Sequence, residues 1–522
     1  MSENLSFSRK TSGLVKGLNW WDVFLLVISA PAGSGILYYS VSTASTYPGG
    51  NIALSFFIGM VLIFPVIYLA AVTGNMIPRS GSLYVLISRT INPGVGYVTA
   101  VLFFLGYTLS IGVIACIVTQ VVGGFLANAG TAANILALSG IGTAMQTPLW
   151  STIGGLFLVF LTWFIVLRGI QAFKNVMRIL FFVTLAATGI TVIYFLVHNP
   201  AGISSLFDKV WGAGSYQAIM DSAKTNGWTK APFSMAMTIK MLLVVLFSYG
   251  GLELINYASG ETSQEGKRTM RSYIWAWLGL GLIYIIIAFS VSRAFGSFIG
   301  AYDFMFKNHP DVLNGIMPAI SPSIPFYISS VIPKAWLGIL LSVCLAIWLV
   351  TTMIPYFFAP SRLIFALAMD RIVPESLAKV SPKTNAPANA AHVTLAFGLL
   401  GVFFNLLQVN IVLGTILFCA LFVYWLYGLS AILLPYRCPF IYERCPVRGT
   451  LFNIPIISLI GCLTFGIGWF VIFVSVNQMS MGMFITLSIF MLIVSILYTL
   501  KLSRNQRVGI DMDAIYGSLP PD

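Results

Sequence analysis

The stretch Ser29-Ala30-Pro31-Ala32-Gly33-Ser34-Gly35 places small and helix-weakening residues in the middle of the first long apolar run of the chain, where propensity would favour an unbroken helix. A break there frees backbone N–H and C=O groups, which hydrocarbon tolerates only where they line a cavity or meet a ligand. Phe247-Ser248-Tyr249-Gly250-Gly251-Leu252-Glu253 repeats the pattern in the sixth apolar run. Close packing of small residues against neighbouring helices is the plainer alternative. Two interruptions, each in the first helix of a five-helix half, favour a binding site. The N-terminal end of a half-helix suits a carboxylate, and carbonyls at the end of the preceding half suit an ammonium, so a zwitterion satisfies both without charged side chains.

Of the fifteen Asp and Glu residues, Glu253 lies well within an apolar run, which makes it a functional candidate. Its two readings are a proton carrier and a hydrogen-bonded brace for the broken helix. Thr351 and Thr352 in the eighth run offer hydroxyls that, with first-helix carbonyls, would coordinate a sodium ion; the alternative is bonding back to their own helix. Cys116, Cys344, Cys419 and Cys462 fall in apolar runs and read as small buried hydrophobes, and Cys438 and Cys445 match no zinc or redox spacing. No metal site is expected.

These residues need a membrane to position them. The chain of 522 residues is 58% hydrophobic and 8% charged, a balance that excludes a soluble enzyme. Twelve apolar runs are drawn at about 20 to 46, 52 to 77, 94 to 127, 148 to 168, 175 to 197, 234 to 260, 272 to 299, 334 to 369, 390 to 407, 410 to 434, 453 to 476 and 480 to 501. They lack polar/apolar alternation, so the expectation is an all-α membrane protein and not a β-barrel. Of the 28 Lys and Arg, all but Lys209, Lys224, Lys230, Lys240, Arg293, Lys307 and Lys334 fall on one side if the spans alternate. The positive-inside rule then puts both termini in the cytoplasm, and the net charge of +13 reads as topology with no nucleic-acid partner. The first helix is expected to stay, since no cleavage site follows a short apolar region. The expected division is a tail at 1–17, a first repeat of five helices at 18–197, an extracellular loop at 198–233, a second repeat at 234–434, two further helices at 435–501 and a tail at 502–522. The long connections, about 198 to 232 and 300 to 333, are read as plain loops or as short amphipathic helices over an outer vestibule.

Several motifs resemble the amino acid, polyamine and organocation transporter superfamily, with similarity from Gly17 to about Gly461. They are Gly33-Ser34-Gly35-Ile36 in the first helix, Pro78-Arg79-Ser80-Gly81-Ser82-Leu83-Tyr84 after the second, and Phe247 to Glu253 in the sixth. The most specific is Ser361 to Pro374, followed by Pro382-Lys383-Thr384-Asn385-Ala386-Pro387. The resemblance implies a five-plus-five inverted-repeat core with two C-terminal helices and alternating access around a midplane site. By the same resemblance, backbone at Ala32, Gly33, Ser34 and Gly35 receives the substrate carboxylate. Carbonyls near Ala30, Pro31, Phe247 and Gly250 receive its amine, and Tyr249 or Phe247 closes over it as an aromatic gate. The chain departs from the pattern in two places: Ile179 to Ile193 carries no lysine, and Gly260 to Arg271 lacks the Asn-Pro after the sixth helix.

The function expected is a secondary active amino acid permease of the plasma membrane, not an enzyme. Its partners are an amino acid and the lipid bilayer; it has no cofactor beyond a coupling ion, left open between H+ and Na+, and its oligomeric state stays open. The alternatives are a membrane sensor that binds an amino acid without net transport, and a carrier of a related amine or polyamine. No phosphate loop for a primary pump is found, and His198, His309 and His392 lie at loops or helix ends. Glu253 being the only deep acid, a neutral or apolar amino acid is preferred over a cationic one.

Overall fold

The computed structural model describes residues 11–132, 135–263, 267–407, 410–478 and 480–521. Helix α1 (Trp20–Ser34) starts on a reciprocal cap, in which the Asn19 side chain accepts from the amides of Trp21 and Asp22 while Asp22 accepts from the amide of Asn19. It passes into a π-helical turn, Gly35–Tyr39. There follow α2 (Ile52–Met76), the short α3 (Ser82–Thr90), α4 (Pro93–Ala132), α5 (Leu136–Gln146), α6 (Pro148–Leu167) and α7 (Ile170–Val197). The sixth apolar run forms two short helices, α10 (Met235–Lys240) and α11 (Leu242–Ser248), reached through α8 (Pro200–Trp211) and α9 (Ser215–Thr225). After α12 (Lys267–Phe295) come α13 (Phe298–Asn308), α14 (Pro310–Asn314), α15 (Ile324–Ser329), α16 (Ala335–Met369), α17 (Ala388–Leu406) and α18 (Asn410–Arg437). The chain ends with α19 (Pro439–Tyr442), a small β1–β2 hairpin (Thr450–Leu451 with Ile454–Pro455), α20 (Ile456–Gln478), α21 (Met481–Arg507) and α22 (Met512–Tyr516).

Ten helices among the described residues are long and apolar enough to cross a membrane. Outside these ten, the interrupted α10–α11 segment and the 28-residue α18 coincide with the other two apolar runs of the sequence. The two long connections carry α8, α9, α13, α14 and α15, so they are largely helical. Burial grades the helices from the centre outward. α1 and α16 are enclosed on nearly all sides, whereas α6, α7 and α21 present Phe157, Phe164, Ile179, Ile193, Leu492 and Leu500 on the outside, as a lipid-facing surface requires. α1 packs on α16 and α12, and α4 on α16, α17 and α18. Cys116, Cys438 and Cys445 are buried free thiols and Cys344 is half-buried. Cys462 is exposed on α20, which corrects the expectation of burial: with its neighbour Leu463 it lies on a face that the described residues leave uncovered. The Cys419 side chain lies outside the described residues.

Candidate functional site

The interruption of the sixth run begins where α11 stops at Ser248 and the chain turns at Gly251, whose φ of +106° is left-handed backbone open to glycine. Two 3-10 turns, Leu254–Tyr257 and Ser259–Glu261, follow in place of a second α-helix. Glu253 is fully buried and holds this turn together. Its Oε1 accepts from the Tyr107 hydroxyl of α4 at 2.8 Å, and its Oε2 from the Tyr424 hydroxyl of α18 at 2.9 Å and from the Gly251 amide at 3.2 Å. Three donors converging on one carboxylate brace the broken helix against two neighbours.

The first helix differs from its sequence expectation. α1 continues without a break through Ala30, Pro31, Ala32, Gly33 and Ser34, and the irregularity is the π-helical turn from Gly35. Pro31 removes one amide, but its fixed φ fits a helix, and distant side chains serve the surrounding polar groups. The Gly33 amide donates to Thr352 Oγ1 at 3.2 Å, and that hydroxyl approaches Ser29 O at 3.2 Å and Trp348 O at 3.1 Å. The Tyr284 hydroxyl on α12 shares its proton between Pro31 O at 2.9 Å and Ser248 O at 2.7 Å. Tyr284 thus pins the irregular end of α1 to the end of α11. Gly35 is required there, since a Cβ would overlap the Tyr284 ring.

Above these contacts lies a cavity of about 840 Å³ between α1, α4, α11 and α16. Four of the residues singled out in the sequence line it: Ser34, Phe247, Gly250 and Thr352. Ala30, Pro31, Ala32, Gly33, Gly35, Glu253 and Thr351 stand behind its wall. The Pro31 carbonyl, expected to receive an amine, is engaged by Tyr284. Thr351 Oγ1 donates to Trp348 O of its own helix at 2.8 Å, so of the two threonines only Thr352 reaches α1. Tyr249 does not face the cavity as a gate would: it is buried, its hydroxyl donates to Phe56 O of α2 at 3.1 Å, and its ring packs on Phe56 and Tyr284. Phe247, the other residue expected as a gate, does line the cavity and stands edge-on to Tyr39 with centroids 6.0 Å apart.

Sequence reasoning missed the longest wall of this cavity. Tyr107, Ser110, Ile114, Ile117 and Val121 recur every three or four residues along α4, and that period was the available signal. Tyr38 and Tyr356 were also missed. No Asp, Glu, Lys or Arg lines the cavity among the described residues, and no cluster of metal-ligating side chains occurs among them.

The end of the molecule that carries most of the arginines is crossed by three ion pairs, two of them fully buried. Arg362 of α16 donates through Nε and Nη2 to Glu261 at 2.6 and 3.2 Å, with the Phe358 ring 3.6 Å from its guanidinium carbon. Arg89 of α3 holds Asp370 at the end of α16 at 2.6 and 3.0 Å. Arg178 of α7 holds Asp22 of α1 at 2.5 and 2.9 Å. The C-terminal segment lies across the second pair: Arg89 also donates to Ser518 O and Ile515 O, Arg79 donates to Pro520 O at 2.8 Å, and the Tyr516 ring lies 4.9 Å from the Arg89 guanidinium. The cavity is lined at its other end by Phe306, Ile320 and Ser321 from the α13–α15 connection.

The model of the amino acid permease family matches residues 18–497. Two proteins of Bacillus subtilis (strain 168) are similar over most of the chain. A methylthioribose transporter is 25% identical over 415 residues, which cover 77% of this chain and 78% of that protein. The branched-chain amino acid permease BcaP is 21% identical over 387 residues, which cover 72% and 73%.

Proposed function

The chain belongs to the amino acid permease family, and from that premise we propose that it is a secondary active transporter for a neutral, apolar amino acid. In this reading it spans the plasma membrane twelve times, with two inverted five-helix repeats, two further helices and both termini in the cytoplasm. The observation that carries the reading is the uncharged cavity of about 840 Å³ at the two irregular helices, walled by the aromatic and aliphatic side chains Phe247, Ile114, Ile117 and Leu349. Its volume exceeds that of one amino acid, so closure of Phe247 and Tyr39 over the cargo belongs to the cycle. The buried ion pairs of the arginine-rich end are the closed cytoplasmic gate, and breaking them accompanies release to the inside.

Substrate at Ser34, Gly250 and Thr352 touches both irregular helices and α16 at once, the arrangement by which cargo would couple the movements of the two halves. Glu253 acts as a brace, because its carboxylate accepts from Tyr107, Tyr424 and the Gly251 amide at once. The coupling ion, H+ or Na+, is assigned by experiment. A neutral thiosugar, the cargo named for one relative, is the second reading. In its favour, α1 stays helical through Ser34, which leaves fewer backbone amides for a carboxylate, while the cavity offers Tyr38, Tyr39 and Tyr356 to hydroxyls.

The test is uptake by the purified protein in liposomes of labelled leucine, valine and methylthioribose, with proton and sodium gradients imposed separately. Accumulation of a branched amino acid along one gradient supports the first reading and names the ion. Accumulation of methylthioribose alone replaces it with the second, and specific binding without flux or exchange makes the protein a sensor.

A further inference from the structure

A second, smaller pocket of about 140 Å³ lies between the C-terminal part of α4, the end of α8 and the start of α16, at the end of the molecule remote from the buried ion pairs. Phe125 lines both this pocket and the large cavity. Two side chains that line it carry buried N–H donors without a partner: Nδ2 of Asn128, a residue 5% exposed, and Nε1 of Trp211. A buried donor left unpaired is costly and calls for an acceptor, and an indole N–H can only donate. The first turn of the 35-residue α16, at Ala335 and Gly338, forms another wall, and its N-cap residue Lys334 provides no side-chain cap. That wall therefore presents the positive end of a long helix. Lys209 lines the pocket as well, and no Asp or Glu does among the described residues. The remaining walls, Phe125, Val210, Ile332 and Ile339, are apolar.

Donors, a helix N-terminus and a lysine on one side and aliphatic walls on the other define an anion with a short hydrocarbon body. We infer that this pocket is a second ligand site, for a small carboxylate of a few carbons, beside the route into the large cavity. Its volume is roughly that of four or five waters, too large for a single halide and too small for a phospholipid headgroup with its glycerol. The carboxylate oxygens meet Asn128 Nδ2 and Trp211 Nε1, and the chain lies against Ile332 and Ile339.

The experiment is equilibrium binding of radiolabelled propionate to the full-length protein in detergent. The expected result is saturable binding that acetate and butyrate displace and that propionamide, chloride and phosphate do not. Asn128→Leu is expected to weaken it about tenfold or more, the effect of one charge-assisted hydrogen bond. Lys209→Gln, at an exposed position whose replacement leaves the fold intact, is expected to weaken it about threefold. Ile117→Trp, in the large cavity, is expected to leave it unchanged. Absence of saturable binding to the unsubstituted protein overturns the proposal, as does displacement by propionamide or by inorganic anions as effective as by acetate. Full affinity in both pocket variants, or loss of binding in Ile117→Trp, moves the ligand elsewhere and overturns it equally.

Discussion

Gly250 and Gly251 stand side by side, yet the structure asks different things of them. Gly251 alone has positive φ, and a Cβ on it is strained whatever the space around it, at a cost of about 1 to 3 kcal/mol. A Cβ on Gly250 would lie 3.2 Å from Phe247 O, a contact that yields with a small shift. Gly251→Ala is therefore expected to lower the thermal midpoint more than Gly250→Ala, and equal midpoints would contradict the backbone argument. At Glu253 the brace makes a related prediction. Glu253→Gln replaces three charge-assisted hydrogen bonds by neutral ones and makes the Tyr107 hydroxyl turn to accept from the new NH2, so it is expected to destabilise by about 1 to 3 kcal/mol and to leave the pH profile of uptake unchanged in shape. A flattened profile with unchanged stability would assign Glu253 the proton instead. The sequence marked Glu253 because it is the deep acid, but its partners Tyr107 and Tyr424 are 146 and 171 residues away. Nothing local announces such contacts.

The elements divide by whether their irregularity is local. The interruption after α11 was legible, because paired glycines and a turn at Gly251 break the helix from within. The continuity of α1 was not, because the polar groups around Pro31 are served by Thr352 of α16 and Tyr284 of α12, partners that pattern cannot supply. The helices of the two long connections were legible only as an alternative to loops. At the arginine-rich end, Arg362 and Glu261 are 1% and 2% exposed in their side chains, so removing one leaves a buried charge. Glu261→Gln is expected to cost about 3 to 5 kcal/mol, and Arg362→Leu with Glu261→Leu distinctly less; thermal unfolding of the single and double variants measures the difference. The C-terminal segment adds a further layer to this end. Deleting residues 509–522 removes the Ser518, Ile515 and Pro520 carbonyls from Arg89 and Arg79, and is expected to speed labelling of a cysteine placed at Ser80. An unchanged labelling rate would show that the segment merely rests on the surface.

For the whole molecule, composition and run length sufficed for a helical membrane protein, and the motifs from Ser361 to Pro387 pointed to the family that the comparison with known proteins establishes. What sequence could not supply was the cavity, since its walls come from four helices distant in the chain and its longest wall, on α4, looks like any apolar stripe. That the cargo sits in this cavity is the central claim, and α4 offers the cleanest way to challenge it. Ile117 lines the cavity without bonding to α1 or α11, so Ile117→Trp fills the space while leaving the irregular helices as they are. The measurement is binding of labelled substrate, identified from the liposome uptake, to the purified Ile117→Trp protein, with a thermal midpoint taken alongside. The account predicts at least tenfold weaker binding with the midpoint nearly unchanged; full affinity in a protein whose cavity is filled would place the cargo elsewhere.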